Sequence, residues 1–300
     1  MEYLKIEGEF PKLANCAVTM GKFDGIHRGH RKLVEKIKER KALGEQAVLF
    51  AIDASSSMIL TSRERASLLE SLGIDVLVEC QLDDRIRHMK AESFIKEILM
   101  GDLGASYVVV GEDNRFGFER KGNPKLLEEF GNKYGFQVEV LSKEMDGHRK
   151  ISSTFIREEL KKGNMQKVSS LMGADYFVEG RVVHGRGMGH KVLLPTTNIV
   201  PPKSKILPPN GVYVTSSYFG NRVYHGITNI GNKPTIGESF IGVETYLIDC
   251  EEDLYGENCR VEFKKFLRPE QKFPSLEALK TRLLADAKDG RAYFDEGDHN

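Results

Sequence analysis

The sequence predicts an α/β chain in two parts, a parallel sheet covered by helices followed by an antiparallel barrel that a last helix closes. Three observations carry this. From Cys16 to Lys162, short β-branched runs alternate with amphipathic segments, the pattern of strands joined by crossover helices. After about Met172, strand-like runs follow one another without intervening helices, separated by Gly, Asn and Pro turns. The chain has 300 residues of which 40% are hydrophobic, enough to fill two cores.

In the first part the expected strands are CAVTM, QAVLFAI, IDVLVEC, SYVVVG and FQVEVLS. Between them, Leu33, Val34 and Ile37, then Leu68, Leu69 and Leu72, then Phe94, Ile95, Ile98 and Leu99 recur at helical spacing. Gly73, Gly104 and Gly135 stand after those runs, where a helix wants a left-handed C-terminal residue. In the second part the expected strands are YFVEGRVVHG, GVYVTSSYF, RVYHGITNIG, GVETYLIDC and CRVEFKKFL, with FGN as a tight hairpin turn. The helix SLEALKTRLLADAK follows.

Lys plus Arg equals Asp plus Glu at 44 each, which disfavours nucleic acid or an anionic membrane as partner. The start MEYLKIEGEF lacks a basic segment followed by an apolar run, and no stretch approaches the ~18 apolar residues of a membrane helix, so the chain reads as cytoplasmic. Cys16, Cys80, Cys250 and Cys259 are scattered and read as buried apolar side chains rather than ligands or disulfides. A homo-oligomer is compatible with all of this.

The stretch GKFDGIHRGH, Gly21 to His30, lies between a strand and an amphipathic helix that begins near Arg28. A helix start points unsatisfied N–H groups and a positive dipole end at the preceding loop, where phosphate is the natural ligand. His27 and His30 both face that end and each ring has an N–H to donate, while Gly29 between them leaves room for a nucleotide. Such donors favour the negative charge that develops when an α-phosphorus is attacked, which suggests nucleotidyl transfer. A lone HxxH is more often two solvated loop histidines, and zinc would need further ligands at usual spacing that the sequence lacks. The second stretch, ISSTFIR from Ile151 to Arg157, places hydroxyls before a helix and an arginine one turn in, within reach of phosphates near those hydroxyls.

With these two stretches the chain resembles the bacterial bifunctional riboflavin kinase/FMN adenylyltransferase (FAD synthetase) family over nearly its whole length. The resemblance implies a Rossmann-like nucleotidyltransferase domain over residues 1–170 and a six-stranded riboflavin kinase barrel over residues 171–300. It implies nucleotide-binding roles for Gly21, Phe23, Asp24, Gly29, Ser153, Thr154 and Arg157, and catalytic roles for His27 and His30. A third match, VVVGEDNRFG, puts Asp113 and Asn114 against the flavin, with Asn114 where the family usually has an aromatic. Where the family carries FxPHP this chain has FAIDASSS, a departure on the flavin side of the first pocket.

In the second half, LLPTTNI, GVETYLIDC and LRPE match the kinase pattern in order. The resemblance implies that Thr196 and Asn198 bind nucleotide, Thr196 also holding Mg²⁺. It makes Glu244 the base that takes the riboflavin 5′-hydroxyl proton and puts Arg268 in a flavin-binding flap. The family reads GRxLGxPTxN where this chain has GHKVLLPTTN, so His190 and Leu193 depart, and a leucine for glycine is expected to crowd a phosphate and weaken the kinase. The function implied is phosphorylation of riboflavin to FMN and adenylylation of FMN to FAD, with ATP and flavins as substrates. A single working half and a flavin-binding regulator without turnover stand as alternatives.

Overall fold

The computed structural model describes residues 1–53, 56–184, 196–234 and 239–297. The chain divides into two compact units, Met1–Ser153 and Thr154–Asn300.

In the first unit six strands form one parallel sheet in the order β1-β4-β3-β2-β5-β6. They are β1 (Glu2–Ile6), β2 (Cys16–Gly21), β3 (Gln46–Asp53), β4 (Val76–Gln81), β5 (Ala105–Gly111) and β6 (Gln137–Leu141). Five coincide with the expected runs. β1 is additional, a half-exposed edge strand paired to β4 whose polar alternation EYLKI carries little apolar signal. The central strands are apolar at nearly every position because helices cover both faces. Val18, Met20, Val48, Phe50, Val78, Val108 and Val110 pack with Phe94, Ile95, Ile98 and Leu99 in one cluster.

Helix α1 (Arg28–Glu39) buries Leu33, Val34 and Ile37, and α2 (Ser62–Ser71) buries Leu68 and Leu69. A capping box between Thr61 and Glu64 starts α2. The third expected helix differs in its winding, since Phe94–Asp102 is a π-helix. Its wider turn brings the Lys96 carbonyl to within 3.1 Å of where a Cβ on Gly101 would sit, so a side chain there would be crowded. Gly73, Gly104 and Gly135 have φ of +85°, +53° and +86°, as their positions after the helical runs require.

A short antiparallel pair, β7 (Met145–Asp146) and β8 (Arg149–Lys150), follows the first sheet, and in the second unit the strands run antiparallel in the order β10-β13-β12-β11-β14-β9. They are β9 (Tyr176–Arg181), β10 (Thr196–Ile199), β11 (Gly211–Phe219), β12 (Arg222–Pro234), β13 (Ser239–Leu247) and β14 (Asn258–Pro269). β11 and β12 are joined through Gly220, at φ +59°, with Phe219 paired to Arg222 as FGN predicts. The sheet curls until its two edges meet, where Val183 N–H donates to the Asn198 carbonyl at 2.9 Å. A C-terminal helix, Leu276–Gly297, extends well past the expected SLEALKTRLLADAK. Its Ala287 joins Val212, Val214 and Ile227 in a small core with Tyr293 and Phe294.

At the seam a Cβ on Gly180 would lie 2.4 Å from Cγ2 of the buried Ile199. Gly180→Ala should therefore lower the stability of this unit by about 1–3 kcal/mol. Adding Ile199→Ala should cost less than the two single losses combined in thermal unfolding, and strict additivity would show that the seam is not this tight.

Candidate functional site

All strands of the first sheet end at one edge, and chain order reverses between β2 and β5, the place where open α/β sheets form a crevice. A cavity of about 510 Å³ opens there, lined by Gly21, Phe23, His27, Gly29 and His30 from the loop after β2 and the start of α1. Asp113 and Asn114 line it from the loop after β5, and Ile52, Leu82 and Ile86 add apolar surface from the β3–β4 side. Seven of the residues singled out from the sequence thus share one cavity. Asp24 does not line it; its Oδ1 accepts the Ile59 N–H at 2.7 Å and its carbonyl accepts the Ser153 hydroxyl at 2.7 Å. Both bonds hold the loop. Ser153 opens helix α3 (Ser153–Lys161), on which Thr154 is exposed and Arg157 half-buried.

His27 is the N-cap of α1, and its Nδ1 accepts the His30 N–H at 3.3 Å. That fixes the tautomer, because a neutral ring whose Nδ1 accepts carries its proton on Nε2. His30 stacks on His27 with ring centroids 3.7 Å apart, and Phe23 packs on His30 at 4.8 Å. A Cβ on Gly29 would meet the His27 Nδ1 at 3.3 Å, so the glycine makes room for the capping ring. Burial pulls His27 down to about 4, and burial followed by the neighbouring His27 holds His30 well below the usual histidine range. Both rings are neutral at pH 7. His30 Nδ1 is buried with no hydrogen-bond partner among the described residues, an unsatisfied polar atom on a cavity-lining ring.

The cavity wall is cationic. Lys22, Arg115 and Arg120 line it without an ion-pair partner among the described residues, while Lys143 pairs with Asp113 at 2.5 Å. Glu144 binds Lys32 and Arg28 from α1, which hold its carboxyl below the usual range, the Lys32 bond contributing most. Asn114 donates to the Met20 carbonyl at 3.0 Å and leaves its Oδ1 buried without a partner among the described residues. None of Lys22, Arg120, Lys143 and Glu144 stood out in the sequence. Lys143 and Glu144 gain their partners 30 and more residues away, with no local signal.

In the second unit Thr196 donates its hydroxyl to Glu244 Oε1 at 3.0 Å. Register places Asn198 on β10 and Asn229 on β12 directly opposite Glu244 on β13. Asn229 was missed by sequence reasoning, although it sits in the expected strand RVYHGITNIG. A second cavity of about 620 Å³ is lined by Thr196, Thr197, Tyr246 and the acidic loop from Asp249 to Tyr255. Arg268 gives its guanidinium to the fully buried Asp286 of the C-terminal helix, with Nη2 at 2.7 Å and Nε at 3.1 Å. That pairing ties β14 to the helix. His190 and Leu193 lie outside the described residues, as do positions 54 and 55 of FAIDASSS. Cys16, Cys80, Cys250 and Cys259 are free and buried. Among the described residues no helix is long and apolar enough to cross a membrane, and no group of three or more His, Cys, Asp or Glu is arranged to hold a metal ion.

An FAD synthetase family model matches residues 10–155 and a riboflavin kinase model matches residues 172–294. The chain is 34% identical over 291 residues to the bifunctional riboflavin kinase/FMN adenylyltransferase of Escherichia coli (strain K12), covering 93% of each. It is 33% identical to the protein of that name from Pseudomonas fluorescens and 35% to that from Buchnera aphidicola subsp. Acyrthosiphon pisum (strain APS), covering 94% of each chain in both cases. A crystal structure described as a macrolide-efflux protein from Streptococcus pneumoniae is 26% identical, with a TM-score of 0.85 over 97% of this chain and 99% of that one.

The depressed His27 gives an acid sensitivity with a defined sign. The unfolded ring takes up a proton near its ordinary 6.5 and the folded one only near 4, so stability is full above about pH 6.5 and falls as pH drops through that window. The ring's share is about 3 kcal/mol. His27→Asn keeps a capping acceptor but removes the titration, so urea unfolding at pH 7 and pH 5 should show about 2 kcal/mol less acid loss than in the parent. An unchanged difference would mean that the ring is not buried neutral.

Proposed function

The chain belongs to the bifunctional riboflavin kinase/FMN adenylyltransferase family, transferases of flavin biosynthesis that carry both activities, and from that premise we propose how its side chains divide the work. The observation that carries the reading is the cavity at the sheet edge, which gathers two neutral histidines, a helix start and unpaired cations. Residues 1–170 adenylylate FMN and residues 171–300 phosphorylate riboflavin. In the first reaction ATP lies with its phosphates at the start of α1 against Gly21, Phe23 and Gly29, with Ser153 as a further phosphate ligand. FMN enters beside Asp113 and Asn114. The FMN phosphate attacks the α-phosphorus and pyrophosphate leaves, while Nε2–H of His27 and the His30 ring meet the charge that develops on the phosphoryl oxygens.

In the second reaction Glu244 accepts the proton of the riboflavin 5′-hydroxyl as that oxygen attacks the γ-phosphorus of ATP, and Asn198 binds the nucleotide. Thr196 beside Glu244 supplies hard oxygen donors, which fit Mg²⁺. When bound, Mg²⁺ neutralises charge on the transferring phosphates. Arg268 bears on flavin through the segment LRPE, which its pair with Asp286 anchors. The enzyme works in the cytoplasm on small molecules, and its assembly into a homo-oligomer is open to measurement by light scattering.

Incubating the protein with riboflavin, ATP and Mg²⁺ and separating FMN from FAD by chromatography tests the whole reading. His30→Ala should slow FAD formation by ~100-fold and leave FMN formation unchanged. A normal rate would remove His30 from the chemistry. Glu244→Gln keeps size and hydrogen bonding but is a poor base, so FMN formation should fall by ~100-fold or more while FAD formation from supplied FMN persists. Loss of both reactions in a variant with the parent melting temperature would end the two-site reading.

A further inference from the structure

We propose that Arg65 is a positioning residue for adenylyl transfer, acting through the backbone of the loop that leaves β2; the inference rests on reading the first unit as the adenylyltransferase. Arg65, on α2, is 1% exposed, and Glu79, on β4, is 2% exposed. They form an ion pair through Nη2 and Oε2, and the Ser62 hydroxyl donates to the other Glu79 oxygen at 3.0 Å. Both charges are out of water. Removing two charges from solvent costs several kcal/mol, and well-packed apolar side chains of similar volume often serve stability equally well or better. The pair is therefore poorly explained by stability alone.

The other arm of the guanidinium supplies an explanation. Arg65 Nη1 donates to the Lys22 carbonyl at 3.3 Å. That carbonyl belongs to the peptide plane leading into Phe23, a non-glycine residue at φ +46°. Phe23 packs its ring on His30, and His30 stacks on His27. Arg65 does not line the cavity, yet it holds the plane from which this aromatic stack hangs. Glu79 in turn fixes the direction of the fork. A lysine at position 65 lacks the planar fork that presents separate nitrogens to the carboxylate and to the carbonyl.

The test compares the parent with Arg65→Lys, which keeps a charge pair, and with Arg65→Met/Glu79→Leu, which removes both charges together. Each is assayed for FAD formation from FMN and ATP, for FMN formation from riboflavin, and for melting temperature. A displaced loop should lower kcat for FAD formation by about 10- to 100-fold with the KM for ATP changed less than ~3-fold. FMN formation, which uses the other unit, should match the parent. A folded variant with parental kcat for FAD formation overturns the proposal. So does unfolding of both variants, since the pair would then be a requirement of the fold rather than of loop placement. Failure of the parent itself to form FAD would instead overturn the reading of the first unit, and this inference with it.

Discussion

The loop between β2 and α1 must reverse between Gly21 and His27, and it does so with Phe23, Gly25 and Ile26 in left-handed backbone conformations. For Phe23 and Ile26 this costs about 1–2 kcal/mol each. Burying a side chain of that size returns about 1.5–3 kcal/mol, and both are essentially inaccessible to solvent, so burial outweighs the strain. Gly25 meets a different limit, because a Cβ there would sit 3.1 Å from Ile59. The loop is then fastened by three bonds, Ile59 N–H and the Ser153 hydroxyl to Asp24 and Arg65 to the Lys22 carbonyl, while Asn114 holds the Met20 carbonyl at the end of β2. Everything else in the first cavity is placed relative to that loop.

Neutral histidines suit such a site for an electrostatic reason. Two imidazolium rings with centroids 3.7 Å apart would repel by about 4 kcal/mol at an effective dielectric near 20. Burial removes the problem by keeping both uncharged, so they remain donors without competing for the same charge. Positive charge in the wall comes from Lys22, Arg115 and Arg120. Under the proposed reading, attraction for a polyanion and donation to a developing oxyanion fall to different residues, and the two histidines are the ones that packing locks.

Much of this was legible in the sequence, and the limits have physical causes. Strands buried on both faces announce themselves as continuous apolar runs, so β2 to β5 were readable; the edge strand β6 showed through the alternation QVEVL, while the other edge strand, EYLKI, was not read. The π-helix escaped because Phe94, Ile95, Ile98 and Leu99 fit a helical period whatever the exact hydrogen-bond step. The sequence could set His27 and His30 at the cavity-lining helix start because that signal is local. Asp24 was read as a ligand, but a motif does not say whether a carboxylate faces a cavity or a neighbouring N–H. Arg65 and Glu79 were invisible for the same reason that makes them informative. Charged residues on an amphipathic helix and a strand, 14 apart in sequence, read as solvated until the fold brings them together in a buried ion pair.

The barrel places its groups by register rather than by strained loops. Thr215 shares a hydrogen bond with Thr228 at 2.7 Å, Thr228 shares one with Thr245 at 2.8 Å, and Thr197 reaches the Thr245 carbonyl at 3.4 Å. Three of these buried hydroxyls bond one another and the fourth, on Thr197, bonds a backbone carbonyl, so the row is satisfied across four adjacent strands, and each hydroxyl would be costly to bury alone. Because side chains alternate, burying Thr197 and Thr245 turns Thr196, Asn198 and Glu244 to the opposite face. A slip of one residue would expose the threonine row and turn Thr196 inward, leaving the hydroxyls unpaired and Glu244 without its donor. The same buried row that fixes the fold of the second unit thus fixes Thr196 within 3.0 Å of Glu244.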